Sequence, residues 1–156
     1  MTKKTRILFV CLGNIVRSPL GENMLLHLAT QRGAAAQFET DSAGTAAYHI
    51  GESPDRRMRE VASQRGLVYD GRARQFSARD FSRFDLIIAM DTSNRQNILR
   101  LAKSETDRAK VHLMREYDPE GGESVPDPYY GGIEGFQNVY DIVERSCGGL
   151  LDDLLT

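Results

Sequence analysis

A run of apolar residues, Ile7 to Val10, leads straight into CLGNIVRSP, Cys11 to Pro19, and an amphipathic helical pattern from Ser18 to Gln31 follows. That succession constrains the chain more than any other feature. A strand that breaks through a short Gly-containing loop into a helix aims its backbone N–H groups outward. The helix N-terminus adds partial positive charge, so such a loop is an anion site. Here a cysteine opens the loop and an arginine closes it. An anion-binding loop favours the thiolate of a cysteine placed in it. The planar guanidinium fork matches two oxygens of a phosphate. Cys11 and Arg17 therefore read as a nucleophile beneath a phosphate cradle, with Ser18 and Pro19 as helix-start signals. A buried strand-end cysteine and a solvated arginine would give the same spacing, and spacing alone does not separate the two readings.

The remaining pattern alternates short apolar strands with helices. Arg6 to Val10 reads as a buried parallel strand, Gln37 to Ser42 as a second, Asp85 to Met90 as the third and Val111 to Met114 as the fourth. Helices are expected from Ser18 to Gln31, from Pro54 to Gln64, from Asn94 to Leu101 and from Ile133 onward, with Gly148 and Gly149 weakening the last. Gly66 to Gln75 looks irregular, Ser77 to Phe81 one short helical turn, and Lys103 to Lys110 a loop with a helical turn. This is the signature of an α/β, doubly wound, four-stranded parallel sheet in one domain, 1–156. In such sheets ligands bind beyond the carboxyl ends of the strands. Cys11, Ser42 to Thr45, Asp91 and the long Tyr117 to Gly132 segment each follow a strand, so they are expected on one rim.

Bulk properties exclude several function classes. A net charge of −2 gives no electrostatic case for nucleic acid or an acidic membrane. No apolar run approaches the roughly 20 residues of a membrane span, and Ile7 to Leu12 is too short for a signal-peptide core. Two cysteines, Cys11 and Cys147, make no disulfide framework, which points to a reducing, cytoplasmic location. Cys147 falls on the apolar face of the last helix and reads as core. His27, His49 and His112 do not cluster as metal ligands, and no G-x-x-x-x-G-K-[ST] motif is present. A thiolate attacking a phosphate ester needs an acid for the leaving oxygen. Asp127, stiffened between Pro126 and Pro128, is the best candidate, although an Asp before Pro is also a common turn residue.

Four motifs then carry a resemblance: FVCLGNIVRSP (Phe9 to Pro19), DSAGT (Asp41 to Thr45), MDTSN (Met90 to Asn94) and DPYYGG (Asp127 to Gly132). In this order and spacing the chain resembles the low-molecular-weight protein tyrosine phosphatases over essentially its whole length. The resemblance implies a flavodoxin-like strand order with the phosphate loop after the first strand. It implies Cys11 as nucleophile, Arg17 as phosphoryl clamp and Asp127 as acid and then base. Gly13 and Val16 belong to the same loop, and Ser18 would hydrogen-bond the thiolate. Asn14 would hold an unusual backbone conformation tied to Ser42, and Asp91 would support the loop. Leu12, Ile15, Tyr48, Tyr129 and Tyr130 would wall a slot for a phenyl ring. The implied substrate is a phosphotyrosine-containing protein and the product inorganic phosphate, with no cofactor and no metal, in a monomer or weak homodimer.

One departure matters. Val16 stands where the family commonly carries a second cysteine, which removes the neighbour that would trap an oxidised Cys11 as a disulfide. Other readings of the same loop are a thioredoxin-coupled arsenate reductase, which would need further relay cysteines, and a protein-arginine phosphatase, which resembles this chain more closely but carries Thr at the position of Ile15. A catalytically dead phosphate-binding module would keep the cradle without needing Asp127.

Overall fold

The computed structural model describes residues 3–156. Ile7, Leu8, Phe9 and Val10 are all fully buried because β1 (Thr5–Cys11) lies inside the sheet with both faces covered. Side chains alternate along a strand. Ile7, Phe9 and Cys11 therefore enter one apolar cluster and Leu8 and Val10 the other. That is why the run is apolar without alternation.

From β1 the chain enters α1 (Arg17–Gln31), β2 (Phe38–Gly44), α2 (Arg56–Gln64) and the short α3 (Asp80–Arg83). It continues through β3 (Leu86–Ala89), α4 (Thr92–Leu99), α5 (Glu105–Ala109), β4 (Val111–Leu113) and α6 (Ile133–Leu154). The four strands are parallel in the order β2-β1-β3-β4, the flavodoxin-like order expected. α1 and α6 pack together over one face. Phe76, Phe81, Phe84 and Ile98 cover the other. Among the described residues no helix is long and apolar enough to cross a membrane.

Helix starts shift where a cap decides them. α2 begins two residues after Pro54 because Asp55 is its N-cap, accepting from Arg57 N at 2.8 Å. α4 begins at Thr92 because Asp91 caps it, accepting from Asn94 N at 2.7 Å.

The larger difference is α6, which runs through Gly148 and Gly149 without interruption. The reason is a close approach. A Cβ on Gly149 would lie 1.9 Å from the carbonyl oxygen of Tyr117, whereas nothing lies within 4 Å of one on Gly148. Gly149 lets the helix seat against the segment leaving β4, at a cost in propensity. Gly149→Ala should destabilise the fold by roughly 2 kcal/mol, since overpacking outweighs the ~1 kcal/mol that alanine gains in a helix. Gly148→Ala should stabilise it by up to about 1 kcal/mol. Thermal melts of the two variants should shift in opposite directions; shifts of the same sign would contradict the packing argument.

Candidate active site

β1 delivers Cys11 to the carboxyl rim, and the loop to Arg17 wraps over its side chain. Asn14 N donates to Cys11 Sγ at 3.3 Å, and the Ser18 hydroxyl lies 2.9 Å from the same sulfur. Both contacts hold the sulfur in place beneath the loop. Asn14 sits at φ 58°, the one non-glycine with positive φ among the described residues. Such a conformation persists only where the surroundings hold it. Its Nδ2 donates to Ser18 Oγ at 2.8 Å and its Oδ1 accepts from Arg74 N at 2.9 Å.

The expected tie between Asn14 and Ser42 is therefore wrong. The Ser42 hydroxyl donates instead to Glu22 Oε1 at 2.6 Å, and the hydrogen-bonding groups of Asn14 are taken by Ser18 and Arg74. Burial pushes the Glu22 carboxyl up to about 7, with the Ser42 hydrogen bond pulling the other way and the Asp41 charge adding to the rise.

Arg17 is 3% exposed and is held from behind. Its Nη1 donates to Asp91 Oδ2 at 2.7 Å and to the Val125 carbonyl at 2.9 Å. Asp91 thus uses one oxygen for the α4 cap and the other for Arg17. With Nη1 engaged, Nε and Nη2 remain for an oxyanion. Nη2 faces Asp127 Oδ2 at 3.7 Å. Val125 N in turn donates to the Met90 carbonyl at 2.7 Å. That bond pins the long segment to the end of β3 and sets Asp127 at the mouth of the cleft. Asp127 Oδ1 accepts from Tyr129 N at 3.1 Å.

A cleft of about 280 Å³ opens above the sulfur. Leu12, Gly13, Ile15, Val16 and Arg17 line its base, and Tyr48, His49, Asp127, Tyr129 and Tyr130 line its mouth. Asn14 and Ser18 are buried beneath it and act on the loop rather than on its walls. Tyr129 and Tyr130 meet edge to face with ring centres 5.1 Å apart, and Tyr130 is fully exposed at the rim. Among the described residues no group of three or more His, Cys, Asp or Glu side chains is placed to hold a metal ion.

The family model described as low molecular weight phosphotyrosine protein phosphatase matches residues 6–156. The chain belongs to that family. It is 45% identical over 149 residues to a low molecular weight protein-tyrosine-phosphatase of Streptomyces coelicolor, covering 94% of this chain and 91% of that one. A crystal structure of a protein tyrosine phosphatase from Entamoeba histolytica superposes with a TM-score of 0.94 at 38% identity, covering 97% of each chain. DARP, a Drosophila arginine phosphatase, superposes with a TM-score of 0.88 at 34% identity, covering 96% of this chain and 98% of that one.

Several residues of this family member's site carry little signal in the sequence. His49 lies over the loop: a Cβ on Gly13 would meet its ring at 2.9 Å, and its Nδ1 is 2.8 Å from Glu52 Oε2. Tyr69 sends its hydroxyl under the loop, 3.1 Å from the Ile15 carbonyl and 2.8 Å from that of Val16. Burial, with the nearby Cys11 charge adding to it, raises the Tyr69 pKa well above its usual value, so it stays a donor. The proximity of the His49-x-x-Glu52 pair to the loop could have been suspected, but a lone tyrosine in an irregular segment has no distinguishing pattern.

Cys147 is fully buried on α6, with Sγ 3.9 Å from the Gly21 carbonyl, and burial pushes its thiol well up. It is core, as the helical pattern implied.

Proposed function

We propose that this chain dephosphorylates phosphotyrosine in proteins through a cysteinyl-phosphate intermediate. The observation that carries the reading is the anchored Arg17, whose free edge and Asp127 face the same space above Cys11 Sγ. The Cys11 thiolate attacks phosphorus in line with the phenolic oxygen, forming the S–P bond as the P–O bond breaks. Arg17 and the loop N–H groups hold the equatorial oxygens, whose charge persists through the transition state. Asp127 gives its proton to the departing phenolate. It then takes a proton from the water that attacks phosphorus, releasing inorganic phosphate and restoring the thiolate. Free thiols suit a reducing compartment, the cytoplasm.

Leu12, Ile15 and the tyrosines supply apolar walls for a phenyl ring. The Leu12 and Ile15 side chains at the base of the cleft offer no acceptors for the N–H groups of a phosphorylated guanidinium. Initial rates on phosphotyrosine, phosphoserine and phosphoarginine test the assignment. kcat/KM should be far highest for phosphotyrosine, because phosphoserine is too short to keep wall contacts with its phosphorus over the sulfur. Comparable values for phosphoarginine would place the chain with the Drosophila arginine phosphatase instead.

A further inference from the structure

We infer that Arg57 is a positioning residue for Asp127, linking the phosphate loop to the segment that carries the acid; the inference rests on the reading of Asp127 as general acid. Arg57 is the second residue of α2, and Asp55 grips it three times. Asp55 Oδ1 accepts from Arg57 N at 2.8 Å and from Nε at 3.2 Å, and Oδ2 accepts from Nη2 at 3.1 Å. Burial works against the Asp55 carboxylate, but the Arg57 side chain and neighbouring N–H groups more than offset it and hold its pKa below the usual value. The backbone N of Asp55 donates to the Ile15 carbonyl at 2.7 Å, so this pair is tied to the phosphate loop itself.

The other side of the guanidinium meets two rings. Its Cζ lies 4.5 Å from the ring centre of Phe136, fully buried on α6, and 5.4 Å from that of Tyr129. A planar cation can lie against aromatic rings while its N–H edge stays bonded to a carboxylate. Tyr129 N is the donor to Asp127 Oδ1. An unbroken path therefore runs from Ile15 through Asp55, Arg57 and Tyr129 to Asp127. Beyond the anchor at Val125 this segment has no regular secondary structure until α6 begins. The placement of its carboxyl then depends on side-chain contacts such as this one. Arg57 does not line the cleft, which separates its role from that of Arg17.

The test compares Arg57→Met, Arg57→Lys and Asp127→Asn, singly and combined, on aryl phosphates whose phenols span a range of acidities. Arg57→Met keeps an apolar stem against Phe136 but has neither charge nor fork. It should lower kcat/KM on esters of weakly acidic phenols by roughly tenfold, the scale of a small misplacement of a reacting group. Esters of acidic phenols should be hardly affected, and inhibition by vanadate should be unchanged. Arg57→Lys, which keeps a cation near the rings, should recover part of the loss; it also carries the test if Arg57→Met does not fold. In the Asp127→Asn background neither change should lower kcat/KM further. A uniform loss across leaving groups, or a loss that multiplies with that of Asp127→Asn, would overturn the inference while leaving the acid assignment standing. If Asp127→Asn alone shows no leaving-group dependence, the acid assignment fails and the inference falls with it.

Discussion

Cys11→Ser should abolish turnover of phosphotyrosine, by roughly 10⁴-fold or more in kcat, the scale on which loss of a covalent nucleophile is felt. The hydroxyl is a far weaker nucleophile than the thiolate, and Asp127 serves the leaving oxygen on the opposite side of phosphorus, so it does not activate the hydroxyl as a base. Phosphate and vanadate should still bind, because the cradle does not depend on the sulfur. Arg17 stays anchored by Asp91 and Val125, and the loop stays tied through Asn14 and Tyr69. Steady-state rates with vanadate titration on the variant check both halves. Full activity in the variant, or a wild-type rate that a chelator removes, would exclude a metal-independent cysteinyl-phosphate route.

Asp127→Asn should lower kcat/KM, which runs only as far as release of the phenol and so omits the later step in which Asp127 acts as base, by about 10²-fold or more on esters of weakly acidic phenols, the usual worth of a positioned acid. The substitution is close to isosteric. An asparagine Oδ1 can still accept from Tyr129 N, so the segment keeps its place while the transferable proton is lost. Esters of acidic phenols leave without that proton and should suffer much less. kcat/KM across such a series decides the matter: an equal loss at every leaving group would mark Asp127 as structural.

The sheet was legible because its signal is local. β1 and β3 are buried on both faces and so are apolar throughout, and the Gly-containing loop between β1 and α1 is explicit in CLGNIVRSP. Cys11, Arg17 and Asp127 each follow a strand directly or lie in a Pro-marked segment, and the parallel topology gathers such places on one rim. What holds the loop was not legible. Asn14 leans on Arg74 N, a backbone group, and any residue there except proline would present the same donor. Tyr69 and Arg74 come from the stretch that looks irregular, where no periodicity announces which side chain turns inward. Ser42 was expected to steady Asn14 and instead pairs with Glu22, a partner on α1 distant in sequence. Gly149 shows the limit from the other side. Its helix propensity argued for weakness, and the contact with Tyr117 that requires a glycine exists only once the chain is folded.

The loop from Cys11 to Arg17 is fixed by backbone and side-chain partners from Thr45 and Ala46 just after β2, the Tyr69 to Arg74 stretch and Asp55 at the N-terminus of α2. Ordering a residue's backbone costs about 1–2 kcal/mol of conformational entropy. Here that loss is incurred when the chain folds and is not repeated when an anion arrives. Binding energy from the phosphoryl group is then free to act on the reaction. Departing phosphate leaves behind a receptor of the same shape, ready for the next substrate without a reordering step.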